Sequence, residues 1–285
     1  MYDLLINAVQ LRAGLAQPGW LVFDVRHDLS DHDAGRRAYE QGHVPGAIYL
    51  DHERELSAPR TGSNGRHPLP SREEFGALMR RCGLVPGVQA VVYDEGNSMF
   101  AAHFWWMLRW LGHREVAVLD GGWTAWREAG GKVETGANAG SPAVGHGGDY
   151  GAMPAMPTVD ACKVLANIAK PEFTVVDARA PARFRGEVEP LDPVAGHIPG
   201  ALNRPNSLNV GPDGRFRPAE ELRAEFRRLL GDVAPDRVVH QCGSGITACH
   251  NLFAMEVAGL HGSSLYPGSW SEWCSDPSRP VATGE

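Results

Sequence analysis

The sequence predicts an α/β protein of two tandem domains, in which each domain is a parallel sheet flanked by helices. Three observations support this fold class: a length of 285 residues, an internal repeat, and short apolar runs that alternate with segments of helical period. A chain of this length is too long for one small core and suits two domains of ordinary size.

The repeat is visible in two pairs of segments. Gly42–Ala47 and Gly196–Ala201 both read Gly-His-Val/Ile-Pro-Gly-Ala. Residues 91–126 align without gaps with residues 238–273, at an offset of 147 positions. Self-similarity of this extent indicates two copies of one structural unit within the chain.

Within each copy, β-rich apolar runs alternate with helical segments. In the second copy we predict strands at residues 173–176 and 237–240, and helices at residues 219–230 and 248–258. Alternation of this kind is typical of a parallel sheet covered by helices on both faces. In such sheets, ligands bind beyond the carboxyl ends of the strands.

The two copies are separated by a segment that is rich in Gly, Ala and Pro and has no apolar period. We interpret residues 136–157 as a linker. The two domains are therefore expected at residues 1–135 and 158–285.

Composition excludes several classes of partner. The net charge of −7 gives no general affinity for nucleic acid or an anionic membrane, and no apolar run is long enough to cross a bilayer. The five cysteines are sparse and lack metal-ligand spacing, which fits a reducing compartment and no bound metal. The first residues have neither a basic segment nor a long apolar core, so we expect no signal peptide and a cytoplasmic location.

The segment around Cys242 carries the strongest chemical signal. An apolar run ends at this cysteine, a loop with Gly243, Ser244 and Gly245 follows, and a helical segment comes next. Backbone N–H groups of such a loop and the helix N-terminus favour a thiolate, so we expect Cys242 to be acidic and nucleophilic. The alternative is a small buried cysteine. The glycines and the polar Ser244 and Thr247 favour the nucleophile.

The repeat supplies an internal control. At the offset of 147 positions, Glu95 stands opposite Cys242, and the bulky Met99 and Phe100 stand opposite Ile246 and Thr247. The first copy therefore has no thiol at this position. We predict that residues 1–135 form a non-catalytic domain and residues 158–285 a catalytic one.

These features together resemble the tandem-domain rhodanese family. The resemblance rests on the two repeats, the Gly-His-Val/Ile-Pro-Gly-Ala segments, the Gly-Gly/Ser-Trp-x-x-Trp segments and the loop 242–247, which is similar to that of the 3-mercaptopyruvate sulfurtransferases. It implies a sulfurtransferase with a Cys242 persulfide intermediate and no metal or organic cofactor. The implied donor is 3-mercaptopyruvate, and the implied acceptors are cyanide, a small thiol or thioredoxin.

The leaving group of such a transfer is pyruvate enolate, which must be protonated. The Ser244 hydroxyl is close to Cys242 in sequence and could deliver that proton; its alternative role is to cap the following helix. The resemblance implies a relay through His67 and Glu53, although the family usually has aspartate at the latter position. Asp51 is an alternative carboxylate.

An anionic donor requires cations and N–H groups. By resemblance, Arg183 binds the donor carboxylate, for which a guanidinium is suited because it can hold both oxygens. The family's second arginine is missing, since Leu191 stands at about its place, and Arg204 is a candidate substitute. We expect the N–H groups of the loop to stabilise the terminal sulfur anion. The remaining predicted donor-binding positions are Gly243, Gly245, Ile246 and Thr247.

Three other functions are alternatives to sulfur transfer from 3-mercaptopyruvate. A phosphatase loop would require an arginine at position 248, which is Ala248, so the sequence disfavours that activity. A thiosulfate:cyanide sulfurtransferase would use the same intermediate with a dianionic donor. A persulfide carrier without turnover is the non-enzymatic alternative.

Overall fold

The computed structural model describes residues 1–137, residue 150 and residues 156–285. The chain divides into two compact units. The first unit comprises Met1–Ala58, Pro70–Ala155 and Val210–Phe216, and the second comprises Pro59–Leu69, Met156–Asn209 and Arg217–Glu285. Most of the predicted linker, residues 136–157, lies outside the described residues.

The first unit is built on a five-stranded sheet in which every pairing is parallel, with the strand order β1-β5-β4-β2-β3. Its strands are β1 (Leu5–Ile6), β2 (Trp20–Asp24), β3 (Ile48–Tyr49), β4 (Gln89–Tyr93) and β5 (Val116–Leu119). Its helices are α1 (Ala8–Gly14), α2 (Ala34–Gln41), α3 (Arg72–Arg81), α4 (Met99–Leu111) and α5 (Gly122–Glu128).

The second unit repeats this plan with a four-stranded parallel sheet in the order β7-β6-β8-β9. Its strands are β6 (Thr174–Asp177), β7 (Leu202–Asn203), β8 (Val238–Gln241) and β9 (Ser264–Leu265). Its helices are α6 (Ala161–Ala169), α7 (Pro181–Phe184), α8 (Ala219–Leu230), α9 (Ile246–Val257) and α10 (Ser269–Trp273), with 3-10 turns at Asn206–Asn209 and Pro235–Arg237. A parallel bridge from Thr158 to Leu265 extends the sheet at the edge where β1 lies in the first unit. The predicted fold class is confirmed.

Local sequence explains where these elements begin and end. The central strands β4 and β8 are buried along their whole length, as strands covered by helices on both faces must be. Helix α3 begins at a capping box of Ser71 and Glu74. Helix α8 buries Leu222, Phe226 and Leu230 at a spacing of four residues, so one apolar face packs on the core.

Ion pairs recur at the same place in both units. Arg26 binds the Asp24 carboxylate and the Gly42 carbonyl, and Arg179 binds the Asp177 carboxylate and the Gly196 carbonyl. All four charged side chains are almost completely buried. These pairs fix the Gly-His-Val/Ile-Pro-Gly-Ala segments against the strand ends, which is a structural role.

No helix among the described residues is both long and apolar enough to cross a membrane.

Candidate active site

The loop that follows β8 holds Cys242 at the amino-terminal end of α9. Gly245 precedes the first helical residue, Ile246, and has a φ of 91°, a left-handed conformation that favours glycine. A Cβ at Gly245 would lie 2.6 Å from the Pro267 carbonyl oxygen. The tight turn from strand to helix therefore depends on glycine at this position, and it brings Cys242 back over the helix end.

The Cys242 thiol is buried, at 2% exposure, and its Sγ accepts a hydrogen bond from the Gly245 N–H at 3.2 Å. Its backbone is held on the other side by the turn that begins α10. The Cys242 N–H donates to Ser269 Oγ at 3.1 Å, and the Cys242 carbonyl accepts from the Trp270 N–H at 2.9 Å. The sulfur thus faces an N–H donor and the positive end of α9, an arrangement that stabilises a negative charge on it.

Ser244 lies in the same loop and is paired with His67. The Ser244 Oγ is 2.8 Å from His67 Nδ1, and both side chains are buried. They are 177 positions apart in the chain. His67 is near Ser244 because its segment, Pro59–Leu69, belongs to the second unit although it comes from the first half of the sequence.

Glu53, the predicted carboxylate of the relay, belongs to the first unit. Its N–H donates to Asp51 Oδ1 at 3.0 Å, and its Oε1 lies 3.9 Å from His32 Nδ1. Asp51 is buried and also accepts the Arg54 N–H at 3.0 Å, so it caps this turn. The roles of Glu53 and of Asp51 in a relay stay predictions.

Arg183 lies beside Gly243 in the loop that follows Cys242, and two acidic side chains hold it there. Its Nε and Nη2 bind the Glu189 carboxylate at 3.1 and 2.7 Å, and Nη2 lies 3.4 Å from Asp192. Burial alone would raise the pKa of Glu189. Hydrogen bonds from Arg183 and from the N–H groups of Leu191 and Asp192 outweigh this effect, and the net shift of the Glu189 pKa is downward. Glu189 is therefore a stable anionic anchor.

A second arginine at this loop, Arg66, was not anticipated. Its Nη1 forms an ion pair with Asp192, and its backbone N–H donates to Ser271 Oγ at 3.0 Å. Its position directly before His67 in the sequence was a usable signal once His67 was a candidate. The contacts of Asp192 with Arg66 and of Ser269 with Cys242 were missed because they join segments 126 and 27 positions apart. The Glu189 contact was missed although Glu189 lies only six residues from Arg183.

The two positions considered for the second donor-binding arginine are occupied differently. Leu191 is exposed, at 50% of its surface. Arg204 is buried in a network with Asn209 and Asn251, its guanidinium packs over the Phe226 ring, and burial lowers its pKa to about 10. Arg204 thus contacts Phe226 on α8 and Asn251 on α9, and it packs between these two helices.

The corresponding loop of the first unit surrounds a carboxyl group. Asp94 is completely buried and accepts the N–H groups of Gly96, Ser98, Phe100 and Ala101 at 2.9 to 3.2 Å. Burial raises the pKa of Asp94 even though these four hydrogen bonds oppose the shift. The N–H of Ser98, the counterpart of Gly245, is thus used by a carboxylate.

Two further groups bear on the chemistry. Burial raises the pKa of Cys249 well above its usual value, and this thiol is therefore a poor second nucleophile.

In the first unit, His27, His32 and Glu53 each place one ligand atom within 4.8 Å of the others. Among the described residues, these three are the ones that could hold a metal ion.

Comparisons with known proteins complete the description. The sequence profile of the rhodanese-like domain matches residues 7–129 and 160–276. The chain is 49% identical to the probable 3-mercaptopyruvate sulfurtransferase of Pseudomonas aeruginosa over 284 residues, which are 99% of this chain and 98% of that protein. It is 44% identical to the putative thiosulfate sulfurtransferase SseB of Mycobacterium tuberculosis over 290 residues, again 99% and 98%. The crystal structure of SseA from Escherichia coli, a 3-mercaptopyruvate sulfotransferase, superposes with a TM-score of 0.78 at 33% identity and covers 93% of this chain and 98% of that one.

Proposed function

The chain belongs to the rhodanese family and is a sulfurtransferase, and on this premise we propose that it moves sulfur from 3-mercaptopyruvate to a thiol or cyanide through a persulfide on Cys242. The single observation that carries the proposal is the environment of the Cys242 sulfur, which accepts the Gly245 N–H at the start of α9. The acceptor classes are cyanide, a small thiol and thioredoxin.

The first half-reaction forms one bond and breaks one. The Cys242 thiolate attacks the sulfur of 3-mercaptopyruvate, an S–S bond forms, and the C–S bond breaks with its electron pair moving to pyruvate enolate. The enolate carbon takes up the proton that the donor thiol brought, so the products are pyruvate and the Cys242 persulfide anion. The loop N–H groups of Gly243, Gly245, Ile246 and Thr247 are the proposed stabilisers of the terminal sulfur.

Ser244 is the proposed carrier of the proton to the enolate. The 2.8 Å contact between its Oγ and His67 Nδ1 supports this role, because His67 can replace the proton that the hydroxyl gives up. In the second half-reaction, the acceptor attacks the terminal sulfur of the persulfide, and the Cys242 thiolate is the leaving group. Arg183 is the proposed partner of the donor carboxylate.

Thiosulfate is the second candidate donor. The 44% identity to a putative thiosulfate sulfurtransferase favours it, and it would form the same persulfide while sulfite leaves. The carboxylates of Glu189 and Asp192 beside Arg183 oppose it, because they offset the positive charge that a dianion needs.

Intact-protein mass spectrometry and kinetics with each donor test the proposal. We expect 3-mercaptopyruvate to add the mass of one sulfur atom to the protein, a thiol acceptor to remove it, and kcat/KM to be higher with 3-mercaptopyruvate than with thiosulfate. A stoichiometric persulfide without turnover would identify a carrier. Failure of both donors to modify the protein would refute the proposal.

A further inference from the structure

Two guanidinium groups converge on one residue of the catalytic loop. A Cβ placed on Gly243 would lie 2.7 Å from Arg66 Nη2 and 3.5 Å from Arg183 Nη1. Both arginines are mostly buried, with 22% and 18% of their side chains exposed. Gly243 directly follows the nucleophile, so both cations lie beside the place where a donor must approach.

In each arginine, some of the guanidinium nitrogens bind carboxylates, and one terminal nitrogen near the loop does not. Arg66 Nη1 binds Asp192, and Arg183 Nε and Nη2 bind Glu189 and Asp192. Within the described chain, neither Arg66 Nη2 nor Arg183 Nη1 has an acceptor. Arg66 Nη2 and both Nη atoms of Arg183 are the nearest atoms that a Cβ at Gly243 would meet. Two guanidinium groups side by side can each donate a charge-assisted hydrogen bond to one oxygen of a carboxylate.

Arg66 is also accessible to a small solute. It lines a cavity of about 440 Å³ together with Leu191, Asp192, Pro193, Ser271 and Cys274. The same cavity wall contains Leu191, the position at which the resemblance leads one to expect an arginine. Arg66, from residues 59–69, and Leu191 therefore line the same cavity.

Carboxylates offset the positive charges of the two arginines and of neighbouring Arg179. Arg66, Arg179 and Arg183 interact with Asp177, Glu189 and Asp192, three cations with three anions. The side chains of Glu189 and Asp192 are each only 3% exposed, so water screens them weakly. A site whose cations are already offset by carboxylates accommodates a donor with one negative charge more easily than a dianion.

We propose that Arg66 is the second cation that binds the donor carboxylate, and that Asp192 positions it and sets the preference for a singly charged donor. This inference rests on the proposed function and names a specificity-determining pair for it. The backbone N–H of Arg66 holds the segment to Ser271, so a change of the Arg66 side chain leaves that anchor in place.

The test compares Arg66→Ala, Arg66→Lys and the unaltered protein, with Arg185→Ala as the matched control because Arg185 pairs with exposed Glu187 on the surface. We expect Arg66→Ala to raise KM for 3-mercaptopyruvate about tenfold or more, with a smaller change in kcat, since a charge-assisted hydrogen bond is lost. Arg66→Lys should recover part of the loss, and Arg185→Ala should leave KM unchanged.

Binding of pyruvate, measured by its protection of Cys242 from alkylation, provides a readout that needs no turnover. It should weaken about tenfold in Arg66→Ala. If Arg66→Ala lowers the melting temperature while KM and pyruvate protection stay unchanged, Arg66 is structural and the inference is wrong. If the unaltered protein binds pyruvate through Arg66 but transfers no sulfur, the proposed function fails and the cation assignment stands.

Asp192→Asn tests the charge balance. Removing one anion should raise kcat/KM for thiosulfate severalfold relative to 3-mercaptopyruvate, because a dianion gains twice the Coulomb energy of a monoanion. An unchanged ratio between the two donors would overturn the specificity role of Asp192.

Discussion

The loop after β4 in the first unit and the loop after β8 in the second have similar backbone conformations and surround different side chains. Ser98 and Gly245 occupy matching positions and have φ values of 61° and 91°. Gly122 and Ser269, which also match, have φ values of 56° and 54°. In the first loop, the Asp94 carboxylate takes the N–H groups, whereas in the second the Cys242 sulfur takes that of Gly245.

The difference teaches that similar loops can direct their backbone N–H groups to different side chains of the chain itself. In the first unit the buried Asp94 carboxylate accepts these N–H groups. In the second unit Gln241 stands in place of Asp94, and the Gly245 N–H donates to the sulfur of Cys242, on which we propose that a persulfide forms. Glu95 in place of Cys242 is thus only half of the reason that the first unit is expected to be inactive.

The largest expected effect is that of Cys242→Ser. This change removes the nucleophile and leaves the loop hydrogen bonds of the backbone intact, so sulfur transfer should fall to background while the melting temperature is retained. Cys249→Ser, in the helix behind the loop, is the control and should keep full activity. Substantial turnover by Cys242→Ser would show that catalysis is not confined to the second loop.

Ser244→Ala should give the next largest effect. We expect kcat with 3-mercaptopyruvate to fall about a hundredfold, because an enolate must then be protonated without a positioned hydroxyl. The loss with thiosulfate should be much smaller, since sulfite leaves without a proton. Asn97→Ala, at the matching position of the first loop, should change neither rate. Equal losses with both donors would contradict the proton-transfer role.

A thiol placed in the first loop sharpens the comparison further. With Cys242 replaced by serine, Glu95→Cys alone should be alkylated slowly at neutral pH, because Asp94 already occupies the N–H groups and repels a thiolate. Adding Asp94→Gln should speed alkylation about tenfold or more. The rate is measured by the mass shift with iodoacetamide, after circular dichroism has shown that the fold is intact. Equally fast alkylation of both variants would mean that Asp94 does not prevent the loop N–H groups from stabilising a thiolate at position 95.

The smallest expected effect is a pH dependence of local stability. Burial lowers the pKa of His240, on β8, to about 3, whereas Tyr93 at the matching position of β4 stays neutral. Between pH 6.5 and 3, the unfolded chain binds a proton at His240 that the folded chain does not, so stability falls as the pH falls, by up to about 1.4 kcal/mol per pH unit.

Hydrogen exchange along β4 and β8, corrected for the chemical exchange rate, measures this difference. Protection of β8 should decline at pH 4.5 relative to pH 7.5 more than that of β4, and His240→Phe should remove the excess. An identical decline in both strands of the unaltered protein would assign the effect to other groups.

Elements with strong local signals could be predicted from the sequence. Helix α8 has the predicted bounds, Ala219–Leu230, because Pro218 and Gly231 end the helical pattern on either side. Helix α9 begins two residues earlier than predicted, at Ile246, since the left-handed Gly245 completes the turn there. The strands at 174–177 and 238–241 are shifted by one residue, an error typical of boundaries.

The candidate site divides in the same way. Cys242, Ser244 and the loop glycines lie on one contiguous segment, so their proximity follows from the sequence. Arg66 and Asp192 are 126 positions apart, and their pairing depends on the packing of residues 59–69 within the second unit. Periodicity and spacing carry no information about such long-range pairing.

Residues 59–69 belong to the second unit, and this limits how the protein can be divided into fragments. The segment brings Arg66 and His67 to a loop that the other half of the gene encodes, and residues 210–216 cross in the opposite direction. A fragment that starts near residue 158 would keep the nucleophile and lose its partners. Residues 59–69 and 210–216 each belong to the unit that the other half of the sequence mainly forms, so cutting the chain between its halves would leave both units incomplete.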